Sequence, residues 1–125
     1  MYELGIRRSF SATHYLIGGD WGAENFEHSH EYRLEVILGK NQLDRHGFLV
    51  DIVEVEDHLD QVVAQFRGKT LNDLPGFTGA NPSIERLAAV IHECFRFRFA
   101  DYDLSSLTVV IWEDDIAWTS YRASF

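Results

Sequence analysis

The sequence predicts an α+β fold whose elements follow the order strand, strand, helix, helix, strand, strand. Three observations carry this prediction. Two long segments near the N-terminus alternate apolar and polar residues, two central segments repeat apolar residues at helical spacing, and two β-rich runs lie near the C-terminus. A chain of 125 residues has the length of one domain, so residues 1–125 are expected to form a single unit.

The first two strands are predicted over about 2–14 and 28–38, on either side of a glycine-rich loop at 18–22. Side chains on a strand alternate between its two faces. One face of the second strand is apolar except for two histidines, and it consists of His28, His30, Tyr32, Leu34, Val36 and Leu38. The corresponding face of the first strand contains Ile6, Arg8, Phe10, Ala12 and His14. Each strand is therefore expected to bury one face.

Two helices are predicted in the middle of the chain. The first runs from about 52 to 66 with Asp51 as its N-cap, and its buried stripe consists of Val55, Leu59, Val62, Val63 and Phe66. The second begins with Asn81 as its cap and Pro82 in the first helical position. Its buried stripe consists of Ile84, Leu87, Ala88, Ile91, Cys94, Phe95 and Phe99.

The remaining segments complete the sheet and its connections. The β-rich runs 107–112 and 117–124 are expected to form a hairpin around a turn that begins at Glu113. Residues 47–51 are predicted as a short extended piece. The segment 68–81 is irregular and rich in Gly and Asn, and a loop of this length in a small domain is often functional.

The composition excludes several classes of partner. A net charge of −9 argues against a nucleic-acid surface or an anionic membrane face as the main partner. The single cysteine, Cys94, excludes an internal disulfide and fits a reducing compartment, and its helical neighbours indicate that it fills core volume. The first residues lack the basic and apolar regions of a signal peptide, and no apolar stretch reaches the roughly 20 residues of a membrane span. We expect a soluble, cytoplasmic protein.

Three histidines form the strongest chemical signal in the chain. His28 and His30 share the inward face of the second strand, and His14 ends the inward face of the first strand. Three imidazoles with one open position are typical of a catalytic zinc site. The alternative is that each histidine is a hydrogen-bonded core residue. Of the other histidines, His58 follows Asp57, but neighbours in a helix point about 100° apart, so this pair is expected on a solvated face.

Six motifs in order resemble the 6-pyruvoyl-tetrahydropterin synthase family, including its bacterial 6-carboxy-tetrahydropterin synthase branch. The resemblance covers nearly the whole chain. The matching segments are Ser9-Phe10-Ser11-Ala12-Thr13-His14, His28-Ser29-His30-Glu31-Tyr32, Gly47-Phe48-Leu49-Val50-Asp51, Leu71-Asn72-Asp73, Asn81-Pro82-Ser83-Ile84-Glu85 and Val109-Val110-Ile111-Trp112-Glu113.

This resemblance implies a T-fold, with a four-stranded antiparallel sheet and two helices on one face. Three subunits would join their sheets into one closed sheet of twelve strands, and two such rings commonly stack, so the expected assembly is a homotrimer or a homohexamer. The implied activity is that of a zinc-dependent lyase acting on 7,8-dihydroneopterin triphosphate or a related pterin, in a queuosine, folate or biopterin route. Zinc would lie on His14, His28 and His30, and Glu113 and Ser83 would bind the pterin.

The chain departs from the family in the residues that transfer protons. The family has a cysteine four residues before the His-x-His pair, where this chain has Glu24. It has an adjacent Asp and His just before Leu-Asn-Asp, where this chain has Arg67 and Gly68. Three interpretations follow.

In the first interpretation Glu24 replaces the cysteine as a partly buried general base, as in family members that have a glutamate in this region and cleave the pterin side chain. Glu27 is a second candidate, although it would point away from the metal. In the second, the enzyme acts on a related pterin or purine-like ring, with Arg67 and Lys69 meeting an anionic group. In the third, the protein binds a pterin or a metal without turnover.

Overall fold

The computed structural model describes all 125 residues and has the predicted element order. The elements are β1 (Tyr2–His14), β2 (His28–Lys40), α1 (Ile52–Ala64), α2 (Ile84–Arg98), β3 (Ser106–Trp112) and β4 (Trp118–Ser124). The four strands form one antiparallel sheet in the order β1-β2-β3-β4. The α+β prediction and the ββααββ order are thus confirmed.

The pairing of β1 with β2 is the longest contact in the sheet. Both strands have 13 residues, and the register joins Tyr2 to Lys40 at one end and His14 to His28 at the other. The second strand ends two residues beyond its predicted limit. Its inward face is buried from Tyr32 onward, as the alternation predicts, and the two histidines before it are half-buried.

Both helices cover the apolar face of the sheet. α1 packs against β1, and α2 packs against β3 and β4. The predicted stripe of α1 is fully buried, and in the α2 stripe only Ile84 and Cys94 are partly exposed. Phe10 lies at the centre of this core, where its ring stacks on Tyr32 at 5.4 Å and meets Phe66 at 6.2 Å. Neither helix has the length and apolar character that crossing a membrane requires.

Two local predictions are wrong. α2 begins at Ile84 rather than at Pro82, and its N-cap is Ser83, whose hydroxyl accepts a hydrogen bond from the backbone N–H of Arg86. Residues 47–51, predicted as a short extended piece, contain bends at Gly47, Leu49 and Val50. The carboxylate of Asp44 instead draws that segment into a turn by accepting hydrogen bonds from the N–H groups of His46 and Phe48.

The expectation of a solvated face at His58 is also wrong. Its ring is half-buried between the helices, lies 4.7 Å from the ring of Phe95, and forms a hydrogen bond with the carbonyl of Cys94. His92 is more deeply buried, on the inward side of α2. Its Nε2 donates to the carbonyl of Leu107 on β3, and its ring lies 4.7 Å from that of Tyr121 on β4. Two imidazoles are therefore part of the core.

Acid is expected to destabilise the protein partly through His92. Burial lowers the pKa of His92 from its ordinary value of 6.5. Below about pH 6.5 the imidazole of His92 is protonated in the unfolded chain but stays neutral in the folded chain until a lower pH is reached. The free energy of unfolding therefore falls as the pH falls. We expect His92→Gln to reduce this fall, measured by urea unfolding at several pH values between pH 7.5 and about pH 5 with a chelator present. His46→Gln, on an exposed loop, is the control, and an unchanged pH dependence in His92→Gln would contradict the prediction.

Candidate metal centre

The three predicted histidines meet at the end of the sheet where β1 finishes and β2 begins. His14 and His28 are directly paired across the strands, and His30 is paired with Ala12. Period-two alternation turns all three side chains toward the helix-covered face. One ring nitrogen from each histidine lies within 4.8 Å of the other two, so the cluster that the sequence predicts is present.

Backbone carbonyls fix the orientation of two of these rings. His14 Nδ1 lies 2.9 Å from the carbonyl of Pro82, and His28 Nδ1 lies 2.8 Å from that of Phe26. A carbonyl can only accept, so each Nδ1 is the protonated nitrogen and each Nε2 carries a lone pair. A histidine that donates one ring N–H to a carbonyl and directs the other nitrogen inward is arranged as metal-ligating histidines are.

The inward nitrogens have no hydrogen-bond partner within the protein. The Nε2 atoms of His14, His28 and His30 are all buried, and all three are unpartnered. Burial lowers the pKa of His14, and the neighbouring imidazoles lower it further, which favours the neutral form that binds metals. Buried polar atoms are normally paired, so three buried ring nitrogens that converge without hydrogen bonds form a group able to hold a metal ion. The donor set fits a divalent metal ion such as zinc.

Glu113 lies beside this cluster. It follows the last residue of β3, and its Oε1 is 2.9 Å from His30 Nε2 and 3.7 Å from His14 Nε2. A cleft of about 410 Å³ opens next to it and is lined only by polar residues, four of them acidic: Glu31, Glu113, Asp114 and Asp115. Such a cleft suits a ligand that presents N–H donors, because carboxylates only accept.

Ser83 and Glu24 are close in sequence to residues that form or orient the histidine cluster, but neither side chain contacts the three histidines. The Ser83 hydroxyl caps α2, one residue after the Pro82 carbonyl that holds His14. Glu24 lies in a short 3-10 turn, Gly22–Asn25, and its side chain is exposed, so the expectation of a partly buried carboxylate is wrong for the single chain. The carbonyl of Glu24 accepts from the N–H of Leu16, which fastens this turn to the residues that follow β1.

Sequence reasoning missed the residues that hold the loop after β1. The side-chain amide of Asn72 exchanges two hydrogen bonds with the backbone of Tyr15, and the Asn81 oxygen accepts from the N–H of Ile17. Both asparagines were visible as parts of motifs, but only the structure shows that they fix the end of β1 and therefore His14.

The segment 67–70 lies along the free edge of β1. Gly68 donates to the carbonyl of Ser11, and the carbonyl of Lys69 accepts from Thr13. Gly68 has φ = +71°, a conformation that favours glycine. Arg67 is exposed and donates to the carbonyl of Ser9. The backbone of this segment therefore approaches β1 just before His14.

The sheet has four strands and is covered on one face by two helices, and three histidines lie at one end of the β1–β2 pair. These features define a T-fold protein with a candidate metal site. The family profile described as 6-pyruvoyl tetrahydropterin synthase matches residues 3–124. The chain belongs to this family. No curated protein matches the sequence.

Solved structures share this fold at low identity. The 6-pyruvoyl tetrahydropterin synthase of Caenorhabditis elegans is 23% identical, with a TM-score of 0.81, and the match covers 99% of this chain and 98% of that one. A Plasmodium vivax 6-pyruvoyltetrahydropterin synthase, altered at a catalytic glutamate, is 13% identical with a TM-score of 0.79 and the same coverage. An uncharacterized protein from Wolinella succinogenes is 14% identical, with a TM-score of 0.77, over 96% of this chain and 97% of that one. These likenesses confirm the T-fold.

The three histidines are expected to hold about one zinc ion per chain, since three inward nitrogens form one ligand set. Metal analysis of protein expressed with added zinc measures this directly. His28→Ala is expected to lose most of the metal, because two imidazoles then remain. His46→Ala, which removes an exposed imidazole far along the chain, is expected to keep it. A wild-type chain without zinc, or equal zinc in His28→Ala, would refute the site.

Proposed function

We propose that this protein is a zinc-dependent lyase of the tetrahydropterin synthase type, acting on 7,8-dihydroneopterin triphosphate or a related pterin. The observation that carries the proposal is the group of three buried, unpartnered Nε2 atoms, with the Glu113 carboxylate beside them and an acidic cleft adjoining. The family supplies the reaction type, and the cleft supplies acceptors for the N–H groups of a pterin ring.

In this proposal His14, His28 and His30 hold the zinc. Zinc held there would polarise side-chain hydroxyl groups of the substrate and lower their pKa. Glu113 accepts two parallel hydrogen bonds from the amino group and ring nitrogen of the pterin, which one carboxylate can do with its two oxygens. Ser83 contributes to the pterin site from the start of α2. Its hydroxyl also caps that helix by accepting a hydrogen bond from the N–H of Arg86.

Glu24 is the proposed general base. Its turn is fastened to Leu16, two residues after His14, so its backbone is anchored near the metal site. A carboxylate within hydrogen-bond reach of the substrate can accept a proton in this role. The Plasmodium vivax protein, whose catalytic residue is described as a glutamate, supports the use of this residue type on the same fold.

A substrate-switched or non-catalytic protein that binds a pterin or a metal is the second candidate function. It is favoured by Arg67 and Gly68, which stand where the family has an Asp and a His, and by the exposure of Glu24 in the single chain. On a switched substrate, Arg67 and Lys69 would meet an anionic group.

We propose a homotrimer or homohexamer in the cytoplasm as the working form. β4 is an edge strand with one side unpaired, and its Trp118 and Tyr121 side chains are about half exposed. Long exposed edges favour pairing with another chain, and pairing edge to edge would remove them.

The test of function is turnover of 7,8-dihydroneopterin triphosphate by zinc-loaded protein, with the products separated by chromatography. We expect a 6-carboxy, 6-pyruvoyl or 6-hydroxymethyl pterin, and the product identifies the reaction. Tight pterin binding without conversion would contradict the lyase and support the non-catalytic alternative.

Glu24→Gln tests the general base, because it removes the proton-accepting charge at nearly constant shape. We expect turnover to fall by roughly 10²–10⁴-fold, the usual contribution of general acid–base catalysis, while zinc content and pterin binding stay unchanged. Glu3→Gln, which changes an exposed glutamate near the start of β1, is the control and is expected to keep its activity. Unchanged turnover in Glu24→Gln would eliminate Glu24 as the base.

A further inference from the structure

The turn that carries Glu113 is shaped by its own hydrogen bonds. Glu113 directly follows β3, and its Oε1 lies 2.9 Å from His30 Nε2. Within the turn, the carboxylate of Asp114 accepts hydrogen bonds from the N–H groups of Ile116 and Ala117, both at 2.8 Å. These bonds fix the shape of the turn, but they do not attach it to β2, the strand that bears His30.

Arg33 attaches this turn to β2. It is paired with Trp112 in the sheet, and its guanidinium lies over the Trp112 ring, 5.1 Å from the centroid. The same guanidinium donates to the carbonyl of Asp114 at 3.2 Å and forms an ion pair with Asp115 at 3.3 Å. One side chain of β2 therefore contacts the residue before Glu113 and the two residues after it.

Two of these three contacts are expected to hold the turn. The side chain of Asp115 is 95% exposed, and an ion pair with an exposed carboxylate contributes little. The hydrogen bond to the Asp114 carbonyl and the stacking of the guanidinium on the Trp112 ring need no contribution from Asp115. Removing the charge of Asp115 should therefore leave the turn in place, whereas removing Arg33 should release it.

We propose that Arg33 is a positioning residue, which holds the turn so that the carboxylate of Glu113 faces His30 and the adjoining cleft. This inference rests on the proposed function and deepens it, because Glu113 is the proposed acceptor of the pterin N–H groups. Hydrogen bonds weaken steeply when donor and acceptor are misaligned, so recognition of the ring needs a carboxylate in a fixed direction. Arg33 and Glu113 line the same cleft, and Arg33 projects from the face of β2 opposite to that of His30.

The test compares the binding of pterin with that of lumazine, in which a carbonyl replaces the 2-amino group of the ring. A site that accepts a hydrogen bond from that amino group discriminates against a ring that lacks it. Both affinities are measured by titration of the zinc-loaded wild type, Arg33→Ala, Asp115→Asn and Arg7→Ala, each shown to be folded by circular dichroism. Arg7→Ala is the matched control, since Arg7 lies on the same face of the sheet but pairs with Glu35 at 2.8 Å.

We expect Arg33→Ala to bind pterin about tenfold more weakly, because the hydrogen bond and the stacked cation that it loses together amount to roughly that factor. Its affinity for lumazine is expected to stay unchanged, so the preference for pterin falls by the same factor. Asp115→Asn and Arg7→Ala are expected to keep the preference of the wild type. An unchanged preference in Arg33→Ala, or an equal loss of affinity for both rings, would overturn the positioning role.

The double variant tests whether Arg33 acts through Glu113. Glu113→Gln is expected to lose the preference for pterin, and adding Arg33→Ala to it should lower that preference no further, whereas independent effects would add. Additive losses would overturn the proposal for Arg33 alone. A wild type that binds neither ring, or a Glu113→Gln variant that keeps the full preference, would instead overturn the pterin site of the proposed function.

Discussion

The register between β1 and β2 is the constraint on which the site depends. The pairing of His14 with His28 and of Ala12 with His30 brings three imidazoles to one end of the sheet. The same register stacks Phe10 on Tyr32 in the core, so one register sets both the apolar contacts and the histidine cluster. A slip of one residue would turn every inward side chain of a strand outward. The protein therefore cannot build its core without also assembling the cluster.

Orienting the cluster requires polar support from outside the sheet. The carbonyls of Pro82 and Phe26 hold two rings, while Asn72 and Asn81 fasten the chain beyond β1. All four groups lie outside the sheet and the two α-helices, and the three Nε2 atoms remain buried and unpartnered. Buried acceptors without partners destabilise a fold, so metal binding at this point is expected to return stability that the free protein lacks.

The periodicity of the sequence predicted the strands and their buried faces correctly. Features that depend on a single polar contact were predicted wrongly or missed. Alternation placed both strands and the three histidines correctly, because the burial of one face leaves only one register. The start of α2 was wrong because Asn81 and Pro82, although suited to a helix N-terminus, bond to Ile17 and His14 instead. The burial of His58 depends on packing between helices, which no local pattern contains. The contact of Glu113 with His30 likewise depends on how the end of β3 lies beside β2. The resemblance indicated only that Glu113 would bind a pterin.

The two halves of the proposed active site are built on different parts of the fold. The metal half lies on paired strands whose residues also form the core, so a change there would disturb folding. The proton-transfer half falls on the turn at Gly22–Asn25 and on the segment 67–70 along the edge of β1, both of which are surface connections. Loops tolerate substitution far better than core strands and carry much of the functional variation within a fold. A chain can therefore exchange its acid–base residues, as Glu24, Arg67 and Gly68 suggest here, while the strands continue to present the same three nitrogens. Because the sheet positions the candidate metal site and the loops carry the proposed acid–base residues, a change of reaction on this scaffold would need no change of fold.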